Sequence, residues 1–244
     1  MMKVTILHLF PDLMNLYGEY ANVAVLRRCL EAMDVTVEVR TTGCEDAPDF
    51  ADADLIYMGA GTERRQKIAL DKLRPHAEEL KTAVDQGAMV LFTGNAMEVL
   101  GASVADAAGN VWQGLGLADF TTVETDRRDP GDVVAAPTLW DAPVVGFMNK
   151  CSVTRGITAP LFRELPLGFG NEAEHGAEGY VSGNVFATHL TGPVLVKNPD
   201  FLELAVRRLF ARKGWEVPEA LPVLPHQREA YAVTLRELQG RIRG

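Results

Sequence analysis

The sequence predicts an α/β fold: a doubly wound, mostly parallel sheet with added antiparallel strands. Two observations predict it. Strand-sized apolar segments alternate with segments of helical period through about the first hundred residues, the pattern of parallel βαβ winding. Beyond residue 108 the chain turns to short strands punctuated by Gly and Pro, which suits antiparallel additions.

VTILHLF (4–10) opens the chain as a strand, with His8 packed inside it. After Gly18, residues Val23, Leu26, Leu30 and Met33 recur at spacings of three and four, an apolar helix face that also takes in Cys29. VTVEVR (35–40) alternates as a half-exposed strand does, and DLIYMG (54–59) is a short buried one. A helical segment runs from about Glu63 to Asp85, and AMVLFTG (88–94) is again a strand. Ligands in such sheets lie beyond the carboxyl ends of the strands, so residues 10–15, 59–64 and 93–96 are expected around one crevice. Later strands are supplied by TTVET, GDVVAAP, PVVGFMN and GYVSGNVFATHL. FLELAVRRLFARK, at about 200–213, reads as a helix after Asn198-Pro199. Past the Pro-rich WEVPEALPVLPHQ comes a terminal amphipathic helix at about 227–242. Residues 1–213 are expected to form one domain, and 214–244 a Pro-rich connection with a C-terminal helix.

The 244 residues are enough to bury a sizeable core. The 24 basic and 33 acidic groups give a formal charge of −9, and the basic ones gather in no long patch, which argues against nucleic-acid binding. Apolar runs are strand-sized, so no membrane span is expected, and MMKVTILHLFPD lacks the features of a signal peptide. Cysteines at 29, 44 and 151 fit neither a disulfide framework nor a zinc site, which makes a cytoplasmic location the expectation. No metal or cofactor is expected.

The segment VLFTGNAMEVLG (90–101) has the form of a nucleophile elbow, where a tight strand-to-helix turn lifts one side chain clear of the sheet. Its apex offers Thr93, Gly94 and Asn95, with no Ser or Cys at the tip. A plain βα turn, with Gly94 relieving a strained angle, accounts for it on the residues alone. MGAGTERR (58–65) is either another such turn or a cradle of backbone N–H groups for an anion or oxyanion. A dinucleotide fingerprint would want glycine where Arg64 stands. His189 ends a strand before a Gly-Pro turn and reads as a structural group, and Arg128, beside Arg127, as solvated unless a ligand carboxylate needs it.

Taken together, LFPDLMNLYGEYANV (9–23), MGAGTERRQ (58–66), RDPGDVV (128–134), VVGFMN (144–149) and GFGNEAEHGAEGYVSGNVFATHLTGPVLVKNP (168–199) resemble the class I glutamine amidotransferases of the cobyric-acid-synthase-like group. Within that group the chain is most similar to the GatD-like subunits of lipid II isoglutaminyl synthase, which serve peptidoglycan amidation. The family's elbow reads Cys-Gly-Gly-Tyr-Gln-x-Leu-Gly. Registered on Leu100-Gly101, its nucleophile falls on Gly94, and Glu98 replaces the Gln. The family's general base precedes Gly-Pro, which here is Thr191, and the nearest imidazole is His189, on the same side of an alternating strand. The family's Glu in GFENH has become Met148. Glutamine hydrolysis in this class passes through a thioester on a His-activated Cys, so both partners are missing.

The resemblance implies that Gly59, Ala60 and Gly61 correspond to the oxyanion loop, and Arg128 to an arginine near bound glutamine. Three functions follow as expectations. The first is an inactive GatD-like subunit that partners a Mur-ligase-like (MurT-type) protein. The second is an active enzyme using His189 and a non-standard nucleophile such as Cys151. The third is a sensor that binds glutamine without turnover.

Overall fold

The computed structural model describes residues 2–222, 224 and 226–242. β1 (Lys3–Leu9) leads through a loop into α1 (Tyr20–Glu31), then β2 (Thr36–Thr42) and β3 (Leu55–Met58). The expected single helix over 63–85 is divided into α2 (Glu63–Leu73) and α3 (Ala77–Asp85) by a 3-10 turn at Arg74–His76. Pro75 is the cause, since it has no N–H to give and its ring crowds the preceding turn. β4 (Met89–Thr93) follows, and the elbow segment Gly94–Leu100 is 3-10 rather than α-helical.

The second half contributes β5 (Ser103–Ala105), β6 (Val111–Gln113), β7 (Thr121–Pro137), β8 (Val144–Arg155), β9 (Phe162–Leu167), β10 (Tyr180–Ser182), β11 (Val185–Thr188) and β12 (Leu190–Thr191). TTVET and GDVVAAP are thus one long strand, whose register against β8 shifts between Glu124 and Asp129. α4 (Val194–Lys197), α5 (Pro199–Lys213) and α6 (Gln227–Ile242) complete the order.

Two six-stranded sheets result. The first runs β10-β11-β4-β3-β1-β2 and is parallel except for β10. Most later strands do not extend it: β12-β8-β7-β5-β6, with β9 beside β7, form a separate and mostly antiparallel sheet. Alternation along β1 explains the packing. Val4 and Ile6 face one apolar cluster with Leu26 and Leu30 of α1 and Val206 and Leu209 of α5. Leu7 and Leu9 face another, with Leu70 of α2 and Leu80 of α3. Both faces of the parallel sheet are covered, which is why its strands read as near-continuous apolar runs. The second sheet lends Val133, Val144, Phe162 and Leu165 to the first cluster. A shared core therefore joins the two sheets.

Side chains from residues 214–222 and 226–242 also pack on this body. Trp215 stacks edge-on against Phe210, with ring centroids 5.4 Å apart. The Gln227 amide donates to Leu195 O and Val196 O, the Tyr231 hydroxyl donates to Pro143 O, and Leu238 covers Val134 and Val145.

Candidate functional site

Strand order reverses around β1, which has β2 on one side and β3 on the other, and crevices form at such switch points. Here a cavity of about 220 Å³ opens beyond the carboxyl ends of β3 and β4. Its lining includes Tyr17, Ala60, Gly61, Glu63, Asn95, Glu98, Arg128, Cys151, Ser152, His189 and Thr191.

The glycine loop follows β3. A Cβ on Gly59 would meet Glu19 Cβ at 2.5 Å, and one on Gly61 would meet Met14 Sδ at 2.5 Å, so the loop before α1 comes too close for side chains there. Ala60 O accepts from Leu16 N at 2.8 Å. The expected cradle is partly spent: Gly61 N–H donates to Asn95 Oδ1, and Asn95 Nδ2 donates back to Gly61 O, both at 3.0 Å. Asn95 thus buttons the loop to the elbow.

Gly94 turns the elbow at φ +61°, a conformation L side chains resist. Thr191 stands opposite, its methyl carbon 3.2 Å from where a Cβ at 94 would lie, and its hydroxyl donates to Phe147 O. The structure therefore brings Gly94, Ala60 and Thr191 together.

His189 lies where the chain leaves β11 in one sheet for β12 in the other, and its side chain is fully buried. Its Nδ1 is 3.0 Å from Glu178 Oε1, and its Nε2 is 3.5 Å from Glu98 Oε1 and 3.4 Å from Thr154 Oγ1. The ring is held between two buried carboxylates. Burial raises the pKa of Glu98 and Glu178, but the hydrogen bond and charge of His189, with Ser152 and Gln66 at Glu98 and Thr188 at Glu178, hold both below the usual range. Lys67 pairs with Glu124 behind this group.

The register shift in β7 brings Arg128 to the mouth of the cavity. It pairs with Glu63 Oε1 at 2.5 Å and donates to Asn149 O at 3.3 Å and Cys151 Sγ at 3.4 Å. It is half exposed but engaged, not simply solvated. Cys151 donates to Glu63, and burial together with that carboxylate pushes its thiol up to about 11. Cys29 is in the core, and Cys44 lies in a loop outside the cavity lining.

Sequence reasoning missed Glu19, Ser152 and Glu178, and it placed Glu63 and Asn95 at the crevice without giving either a role. Glu19 is buried beneath the loop and accepts from Thr93 Oγ1 at 2.7 Å, Tyr57 OH at 2.9 Å and Gly192 N at 2.7 Å. A carboxylate in the apolar-flanked motif LYGEYANV, with no solvated neighbour run, was the available signal.

A parallel sheet covered on both faces, joined to a second sheet, with an elbow and a glycine loop meeting at a strand-end crevice, defines a doubly wound α/β architecture. Solved structures share this fold: a glutamine amidotransferase from Thermotoga maritima superposes with TM-score 0.51 at 8% identity, covering 98% of this chain and 93% of that one. A second glutamine amidotransferase gives 0.52 at 12% identity, covering 83% and 98%. Residues 5–199 match the CobB/CobQ-like glutamine amidotransferase domain, and the chain belongs to that family. Among characterised relatives it is 29% identical to the GatD subunit of lipid II isoglutaminyl synthase (glutamine-hydrolyzing) of Staphylococcus aureus, over 88% of this chain and 87% of that one. The corresponding subunit of Streptococcus pneumoniae is 28% identical, over 86% and 82%. Among the described residues no helix is long and apolar enough to cross a membrane.

Proposed function

We propose that this chain is a GatD-like subunit that keeps the crevice of its family and has given up glutamine hydrolysis, acting in the cytoplasm beside a Mur-ligase-like (MurT-type) partner that amidates the peptidoglycan precursor lipid II. The names of its two relatives support the pathway, because both are subunits of a synthase acting on lipid II. One observation carries the loss of chemistry. Position 94 has no side chain, and a Cβ added there would lie 2.4 Å from Ala60 Cβ. The elbow thus has neither a nucleophile nor room for one, whereas loss of a nucleophile alone typically removes several orders of magnitude of rate.

His189 is a poor substitute base in this reading, since each ring nitrogen already faces a buried carboxylate. Cys151 is a poor substitute nucleophile, since its thiol is held protonated. Purified protein, alone and co-expressed with a Mur-ligase homologue, should release no ammonia from L-glutamine above background. Ammonia release abolished by Cys151→Ala or His189→Ala overturns the reading.

A second reading is favoured by Arg128, whose guanidinium reaches the cavity and suits a ligand carboxylate. In it the crevice is a sensor that binds glutamine reversibly. Titration calorimetry with L-glutamine, on wild type and Arg128→Ala, tests it: saturable heat lost in the variant supports a sensor, and no heat in wild type excludes it.

A further inference from the structure

We propose that Ala60 and Gly94 form one steric unit that seals the elbow. The Ala60 methyl fills the volume in which any side chain at 94 must begin, so Gly94 lies packed behind the cavity wall that Ala60 and Thr191 form. The idea deepens the reading above and rests on it only in taking this crevice as the binding site.

Three observations carry it. A Cβ at 94 would meet Ala60 Cβ at 2.4 Å, Ala60 Cα at 3.2 Å and Thr191 Cγ2 at 3.2 Å, where carbon atoms in ordinary contact sit about 3.5–4 Å apart. A methyl on Cα cannot swing aside, so relief requires the backbone to move. That backbone is tied on both sides, by Leu16 N to Ala60 O at 2.8 Å and by the paired hydrogen bonds between Gly61 and Asn95. Thirdly, Gly94 holds φ +61°, a backbone angle that adds strain for any L side chain placed there. The nearest obstacle is removed by a single change, Ala60→Gly. With the wall in place no covalent bond forms at the apex.

The test is a cycle of four proteins: wild type, Ala60→Gly, Gly94→Cys and the double variant, followed by thermal unfolding and by iodoacetamide labelling mapped to each residue by mass spectrometry. Gly94→Cys alone should melt about 5 °C or more below wild type. In the double variant the losses should not add: its midpoint should lie above that of Gly94→Cys alone. The thiol at position 94 should also label at least tenfold faster in the double variant than in the single one, a readout that general destabilisation does not produce in this direction. Additive midpoints, or equal labelling of the two thiols, overturn the proposal. If Gly94→Cys does not fold, recovery of folded protein on adding Ala60→Gly supports it, and failure to recover overturns it. None of these measurements depends on whether wild type hydrolyses glutamine, which the ammonia assay reads separately.

Discussion

The carboxyl group of Glu19 is buried under the crevice, and it gathers Thr93, Tyr57 and Gly192 around it. Burial pushes its pKa up to about 7 despite those hydrogen bonds and the nearby Lys197. In the unfolded chain it ionises near 4.5, so between about 4.5 and 7 the folded protein holds a proton that the unfolded one has lost. Its stabilising contribution is full below 4.5 and fades as pH rises through 7, by at most about 3 kcal/mol. Urea unfolding at pH 5 and pH 8 should show Glu19→Gln losing less stability between the two than wild type does. His8 acts in the opposite sense, because burial lowers it to about 4 and it favours the fold above 6.5. At the same scale Cys151 should resist alkylation. With its thiol near 11, about one molecule in a thousand is thiolate at pH 8, and labelling should rise roughly tenfold per pH unit toward 11. Fast labelling of Cys151 at pH 8 would contradict the burial described for it.

Among elements, the passage from β11 to β12 is the joint of the site. Glu178 secures it by accepting from the Thr188 hydroxyl, the His189 backbone N–H and the His189 ring. Glu178→Ala leaves those buried donors unpaired beside Glu98 and should cost about 3–5 kcal/mol, read as a melting point lower by roughly 10 °C. Glu178→Gln, which retains an acceptor, should lose less. The parallel strands and their helices were legible because alternation and three-four spacing report local burial directly. The division of 63–85 was written in Pro75 and passed over. The strained angle at Gly94 was legible, but the elbow's 3-10 winding and the approach of Ala60 to Gly94, a contact across 34 positions, were not. Arg128 could be named from its motif, but the register shift in β7 that aims it into the cavity belongs to strand pairing rather than to sequence.

For the whole molecule, the terminal helix illustrates the same boundary. Its existence was readable from the sequence, but its seat on the second sheet, where it buries only Gln227 and Leu238, was not. Leu238 meets Val134 and Val145 about a hundred positions away, and Arg241 pairs with Asp132. A chain ended after Gly214 uncovers those valines, so it should bind anilinonaphthalene sulfonate and melt below the full-length protein. Equal melting points and no added dye fluorescence would show that α6 contributes nothing to the body. The second sheet was also anticipated only as additions to the first, because antiparallel strands carry no mark of which sheet they join.

The seal between Ala60 and Gly94 has a consequence on another timescale. A gene that acquires a thiol codon at 94 by chance yields a protein whose loop must buckle, and selection meets the folding defect before it can meet any gain. The crevice therefore behaves as a ratchet, in which the first mutational step toward chemistry runs uphill unless position 60 has already changed.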